Sequence, residues 1–370
     1  MPGTGDHKLN RYLGQARSHA TSNNTIDTLI VGNEAADLDS IATAFVLAYI
    51  LGKQKKKPSA LPLIPIARND FRLRTEAVYV LGEAKIDLAL VLFLDDIAQD
   101  ADAFRQFLNK VQHLTLVDHN RLSGRFEPYT DKVSHIVDHH EDEGFYPRAD
   151  RTIEPVGSCA TLAGELLIKE CPGAMEPHIA TLLLGTILLD TVNLDPKAGR
   201  VTPKDISVAQ ALEPFCPIKP DSFYQAVREA KFSIKGLDTR DLLRKDYKEF
   251  SFGQIRCGIA SVPISLTRWK DRDPNLGKQL ETWAQEKNLD ILVTMSAWSG
   301  LTFSRDLGVY TCHPNDIEPL IAMLQSNGLD LAPLKKHVPC DTGKTVFFNQ
   351  GNSSISRKKL VPLLSDFFSV

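Results

Sequence analysis

Three short apolar runs in this chain lead directly into Asp and His, and that repetition constrains the fold more than any other feature. Residues 28–31 (TLIV) run into GNEAADLDS, residues 114–117 (LTLV) into DHN, and residues 135–137 (HIV) into DHHEDE. Short apolar runs bounded by polar loops read as buried strands. Between the first two, Ile41, Ala44, Phe45, Ala48 and Tyr49 recur at three- and four-residue spacing, which predicts a helix over 40–51. Further strands are predicted at 61–66 and 89–94, and helices at 100–111 and 158–170. Strand–helix alternation of this kind implies an α/β fold with a doubly wound, mostly parallel sheet.

In such sheets ligands gather at the carboxyl ends of the strands, near the point where strand order reverses. Acids and imidazoles from separate strand ends can therefore converge. Asp37, Asp39, Asp118, His139 and His140 form one candidate cluster, with Asp190 at the end of the apolar run TLLLGTILLD as a further member. Taken singly, each has a simpler reading. Asp39 before Ser40 suits a helix cap, paired histidines suit a solvated loop, and an Asp can end an element for turn reasons. Five such residues at three strand ends are not explained by caps. Carboxylates with imidazole suit Mg²⁺, Mn²⁺ or Co²⁺. Four carboxylates exceed the needs of one cation, whereas two cations about 3.5–4 Å apart would neutralise them and activate water at neutral pH. Asp95 and Asp96 also follow a predicted strand and rank below Asp118, as supporting or helix-start residues.

At 370 residues the chain is expected to form two domains. The boundaries expected are 1–230, a hinge at 231–239, and a smaller α/β domain at 240–370. That second part is predicted to hold a helix at 241–250, a strand at 255–262, a helix at 276–287, a strand at 290–295, and a strand, loop and helix over 344–370. A net charge of -3 gives no general attraction to nucleic acid or lipid, so a polyanionic substrate needs a local basic patch. The six cysteines are scattered, with no C-x-x-C pair, which suits free thiols in a reducing compartment. The polar start MPGTGDHKLN is unlike a signal peptide, and no apolar run reaches about 18 residues, so a cytoplasmic protein is expected.

The series GNEAADLDS, LVDHN, VDHH and LLDT resembles the DHH phosphoesterase superfamily. More narrowly it resembles the branch of family II inorganic pyrophosphatases, cytosolic exopolyphosphatases and prune proteins, as do EPVGSCAT at 154–161, DYKEF at 246–250 and SRKK at 356–359. The last two look like phosphate-binding motifs of the branch's second, DHHA2-type domain, and the active site is expected in the cleft between the two domains. The resemblance implies that Asp37 binds one metal, Asp39 the other, and Asp118 both. His139 and Asp190 would complete the second metal site, and His140 would lie beside the phosphate being transferred. Lys248, Arg357 and Lys358 would grip substrate phosphates.

Where the pyrophosphatases carry a His four residues before the first Asp, this chain has Asn33, as in the exopolyphosphatase and prune-like members. An amide oxygen hardens the site and favours Mg²⁺, with Mn²⁺ or Co²⁺ as alternatives. Arg68, Arg72 and Arg74 in PLIPIARNDFRLRTE also look like that branch and would line a phosphate track, although a surface helix explains Arg72 and Arg74 equally well. TRWKDR, with Arg268, Lys270 and Arg272, reads as a solvated loop. The expected activity is release of orthophosphate from the ends of inorganic polyphosphate by a monomer. Pyrophosphate, nucleoside tetraphosphates, cyclic nucleotides, or a non-catalytic scaffold role are the alternatives. A nucleic-acid exonuclease is disfavoured, because the glycine-rich GGGH-like motif of those branches is absent.

Overall fold

The computed structural model describes residues 7–22, 25–55, 60–299, 302–334 and 344–368. Cys340, the Lys56–Pro58 part of the basic turn, and the first six residues fall outside them. The chain divides into two compact units, Met1–Lys231 and Phe232–Val370. No helix among the described residues is long and apolar enough to cross a membrane.

The first unit is built on six strands: β1 (Ile26–Val31), β2 (Ala60–Ile64), β3 (Leu92–Phe93), β4 (Val111–Val117), β5 (Val133–Asp138) and β6 (Asp150–Ile153). All pair in parallel, in the order β3-β2-β1-β4-β5-β6. This is a doubly wound order, and strand order reverses between β1 and β4. The expected strand at 89–94 shrinks to two paired residues. Asp87 caps a short turn over Leu88–Leu90, and the Asp96 carboxylate accepts from the Phe93 amide at 2.8 Å, turning the chain into the Leu94–Ile97 helix. Strand β6 was not anticipated.

The helix after β1 spans Leu38–Lys55, and residues 41–50 are buried throughout. The Pro177–Asp190 helix is buried from Ile179 to Leu188. Helices apolar all round occupy the interior of a domain rather than its surface. These two pack against each other and against the Cys159–Glu170 helix, forming the core beneath one face of the sheet. Both run into acidic residues, Asp39 at one helix's start and Asp190 at the other's end.

The second unit holds a six-stranded sheet of mixed direction: β7 (Tyr247–Phe252), β8 (Ile255–Val262), β9 (Ile291–Ser299), β10 (Phe303–Thr311), β11 (Leu331–Pro333) and β12 (Thr345–Gln350). Its order is β11-β12-β10-β9-β8-β7, with only β8 and β9 parallel. The helix expected over 241–250 is corrected here. Helix Thr239–Lys245 ends before Asp246, and YKEFSF continues as β7, paired Tyr247 to Ala260. Three aromatic residues in six, Tyr247, Phe250 and Phe252, favour a partly buried edge strand over another helical turn. TRWKDR is likewise not a loop: it forms helix Leu266–Arg272, with Trp269 buried and Arg272 donating to the Leu237 carbonyl at 2.7 Å.

Candidate metal centre

The loops after β1, β4 and β5 meet at the switch point, as parallel topology requires. Asn33, Asp37, Asp39, Asp118, His139, His140 and Asp190 all line one cavity of about 530 Å³ within the first unit. Each first-unit residue assigned to the cation cluster is thus brought to one place. Arg68 and Arg72 do not line it. The Arg68 guanidinium donates to the Leu88 and Val91 carbonyls and to Asp96 at 2.6 Å, stacked over the Phe93 ring. Asp96 also takes a two-pronged contact from Arg17. Burial works to raise Asp96, but these arginines and the Phe93 amide hold it down at about 2. Asp95 accepts from the Arg68 amide. Both acids therefore belong to an arginine-braced turn, in agreement with their lower ranking.

Of Asp37 and Asp39 in the opening loop, the helix cap falls to Asp37, and the simpler reading of Asp39 as that cap is set aside. Asp37, not Asp39, caps the 38–55 helix, its Oδ1 accepting from the Ser40 amide at 3.1 Å. Asp39 instead points at the start of the Cys159–Glu170 helix. Its carboxylate accepts from the Ser158 hydroxyl and the Cys159 and Ala160 amides, at 2.9, 2.7 and 2.7 Å. A helix N-terminus favours an anion, which gives EPVGSCAT its structural meaning. A carboxylate offers about four lone-pair sites; three are engaged, and Oδ2 still faces His139 Nε2 at 3.7 Å. Arg74 donates to the Ala35 carbonyl and pins the same loop.

Asp118 sits at φ 61°, a left-handed conformation that a non-glycine residue adopts at a cost. Its amide is held by the Val137 carbonyl at 2.9 Å. Oδ2 accepts from the Asn33 amide nitrogen at 2.7 Å, and the same nitrogen reaches Asp37 at 3.2 Å. The amide nitrogen, rather than the expected oxygen, thus faces the two carboxylates; ligation through Oδ1 needs the amide turned over. His139 Nδ1 lies 2.9 Å from the Val156 carbonyl, so this nitrogen carries the hydrogen. Nε2 then faces Asp118 Oδ1 at 3.2 Å and is the nitrogen free to ligate a cation once its proton is displaced. A backbone carbonyl fixing the tautomer of a ligand histidine is a recurrent feature of metal sites. One ligand atom each from Asp118, His139 and His140 can be chosen so that all lie within 4.8 Å of one another.

Whether these residues suit cations can be judged from the groups left without partners. Asn33 Oδ1, Asp118 Oδ1 and Asp190 Oδ2 are buried and accept no hydrogen bond. Orphaned buried oxygens are costly, and three facing one cavity mark a place where positive charge belongs. Asp190 moreover ends a helix, where a negative charge opposes the dipole. Electrostatics agree. Burial, reinforced by the Asp39 charge, pushes Asp118 and Asp190 well above the usual carboxylate range. Burial raises Asp39 too, against the pull of His139. Burial opposes charge on His139, yet Asp118 and Asp39 override it and carry the imidazole up to about 10. The cluster holds protons unless cations replace them. The donor set, carboxylate and imidazole without thiolate, suits hard or borderline divalent ions.

Two features were missed. Asp138, the fully buried first residue of the DHH triplet, accepts from His140 Nδ1 at 2.8 Å, from the His139 amide, and from Asn120 Nδ2 at 2.7 Å. Burial alone would raise its carboxyl, but His140 and Asn120 outweigh that and lower it. Its place inside VDHH was the available signal. The rest of the cavity is lined by Pro155–Gly157, which lies within EPVGSCAT, and by Gly199–Thr202, which no motif marked. In the second unit, Arg357 donates to the Asp246 carbonyl and carboxylate at 3.0 and 2.7 Å, which brings SRKK against the head of DYKEF; Lys248 and Lys358 are exposed.

Comparison with known proteins matches the same organisation. The DHH family N-terminal domain model covers residues 27–187 and the DHHA2 domain model residues 225–367. Human exopolyphosphatase PRUNE1 is 32% identical over 350 residues, covering 92% of this chain and 75% of that protein. A Schizosaccharomyces pombe protein provisionally named an exopolyphosphatase is 33% identical over 97% of this chain and 98% of its own length. A manganese-dependent inorganic pyrophosphatase of Methanothrix thermoacetophila is 25% identical, covering 72% of this chain and 79% of that protein. A crystal structure from Methanococcus jannaschii, titled as a family II inorganic pyrophosphatase, shares the fold with a TM-score of 0.54 at 23% identity, over 93% of this chain and all of that one. The cation-adapted cluster at the switch point and these matches lead to one conclusion: the chain belongs to the DHH phosphoesterase superfamily, in the DHH–DHHA2 branch of exopolyphosphatases and prune proteins.

Proposed function

We propose that this protein is an exopolyphosphatase, releasing orthophosphate from the ends of inorganic polyphosphate with the help of two divalent cations. The observation that carries the reading is the set of buried oxygens on Asn33, Asp118 and Asp190 that face one cavity without partners. Relatives at 32% and 33% identity bearing exopolyphosphatase names support the substrate. Asp37, Asp39, Asp118, His139 and Asp190 would hold the cations, with Asp118 between them. When bound, such a pair supplies Lewis-acid polarisation of the phosphoryl group and activation of water.

The chain's own residues do the rest. Val156 and Asp39 set the tautomer and approach of His139. Asp138 orients His140, whose side chain is 60% exposed and thus open to an incoming phosphate. Lys248, Arg357 and Lys358 belong to the same proposal as phosphate-binding residues. Mg²⁺ is the favoured cation, since the Asn33 amide, once turned over to present its oxygen, is harder than the imidazole that would favour softer ions. Orthophosphate release should be measured from long-chain polyphosphate, tetraphosphate and pyrophosphate, with Mg²⁺ or Mn²⁺. Preference for long chains with Mg²⁺ is expected; strong preference for pyrophosphate would overturn the substrate assignment.

A further inference from the structure

The lining of this cavity carries one fixed positive charge. Arg200 lines the same cavity as Asp37, Asp39, Asp118 and Asp190 and is, apart from the histidines, the only basic residue among the described residues lining it. Its side chain is exposed, and it makes no ion pair or hydrogen bond to another described residue. The four carboxylates are matched in charge by two divalent cations, so nothing remains among them to meet the charge of an incoming phosphate.

The backbone around Arg200 is built rather than loose. Gly199 is left-handed at φ 65°, which turns the chain into the cavity wall. Thr202 caps helix Pro203–Leu212 in a reciprocal box with Asp205. The fully buried Asp205 carboxylate also accepts from the Gly157 amide at 2.9 Å and the Thr161 hydroxyl at 2.6 Å. A side chain at Gly157 would come within 2.7 Å of the Arg200 carbonyl, so the two loops are in close contact. Gly157 adjoins Val156, whose carbonyl fixes His139. Arg200 is thereby mounted on the same buried anchor that orients a cation ligand, while its guanidinium stays uncommitted.

We propose that Arg200 binds a phosphate of the substrate at the cation pair, by the forked contact that guanidinium makes with phosphate oxygens. This assignment rests on the phosphoanhydride reading above and adds a phosphate ligand from the first unit to those expected in the second. The test uses the full chain as wild type, Arg200→Ala and Arg200→Lys. Three quantities are read: KM and kcat for polyphosphate with Mg²⁺, orthophosphate affinity by titration calorimetry with Mg²⁺, and Mn²⁺ affinity by electron paramagnetic resonance. Arg200→Ala should raise KM and weaken orthophosphate binding by about tenfold or more, the scale of one lost charge-assisted contact. Mn²⁺ affinity should stay within about twofold of wild type, and Arg200→Lys should recover part of the loss. The proposal is overturned if Arg200→Ala binds orthophosphate like wild type, or if phosphate and Mn²⁺ affinities fall together. Should wild type bind orthophosphate through Arg200 yet release none from polyphosphate, the activity is misassigned and this contact stands.

Discussion

Replacing Asp118 with Asn should make the cation-free protein more stable and the enzyme nearly inactive. Asp118 is 3% exposed, with Oδ1 3.2 Å from His139 Nε2, and its charge helps hold the second proton on that imidazole. An asparagine of the same shape can keep its oxygen on the Asn33 amide and, because it removes a charge that holds the second proton on His139, turn its NH₂ toward a neutral Nε2. It thereby gains a hydrogen bond worth about 1 kcal/mol net, and one member of a repelling carboxylate group is removed. For a unit of this size that corresponds to a melting point higher by about 2–4 °C in chelator. Wild type with cation at 100 times its dissociation constant should gain about 2.7 kcal/mol, or about 5–11 °C. Asp118→Asn, lacking the shared carboxylate, should show less than about half that cation-induced rise and lose activity by about 100-fold or more. Thermal melts of both proteins in chelator and in Mg²⁺ provide the comparison. A variant that melts below wild type in chelator, or responds to Mg²⁺ equally, would refute the reasoning.

Further outcomes follow from the same geometry. Asp39, Asp118 and Asp190 lie above their unfolded carboxyl values and His139 above its unfolded value, so the cation-free folded state holds more protons than the unfolded chain. For the carboxyls that contribution is full below their unfolded range, about pH 4, and is lost as pH rises through their elevated folded values; for His139 it is full below about pH 6.5 and is lost as pH rises toward about 10, and cations must expel the same protons. The melting-point gain from a fixed Mg²⁺ concentration should therefore grow between pH 6 and pH 8, and a flat profile would contradict the assignment. Asp205→Ala strips the partner from the Gly157 amide and the Thr161 and Thr202 hydroxyls, and should cost about 3–5 kcal/mol in urea unfolding. Arg68→Ala should lower stability by about 1–3 kcal/mol while KM for polyphosphate stays near wild type, because Arg68 braces Asp96 and two carbonyls. A large rise in KM with an unchanged melting point would restore the phosphate-track reading.

The convergence of these acids and histidines was legible because parallel topology delivers strand ends to one edge. Once residues 28–31, 114–117 and 135–137 were recognised as strands, Asp37, Asp39, Asp118, His139 and His140 had to converge. What the local pattern could not carry was partnership across the chain. Asp39 looked like the cap of its own helix, but its partners Ser158, Cys159 and Ala160 lie some 120 positions later. Arg200 and Asp205 lie in a stretch whose only local signal is a Thr–Asp capping box, and their relation to Val156 and Gly157 exists only after folding. Arg68 shows the same limit in the opposite direction. Its charge suggested a ligand, whereas Asp96, 28 residues on, had already claimed it. DYKEF was read as helical because the preceding Thr239–Lys245 turns are, and the change of period at Asp246 became decisive only through pairing with β8.

Anomalous diffraction from crystals grown with Mn²⁺ tests the central claim most directly. The expected map has two peaks about 3.5–4 Å apart in the cavity after β1, β4 and β5, both bonded to Asp118. Peaks absent from that cavity, or lying elsewhere on the protein, would contradict the account.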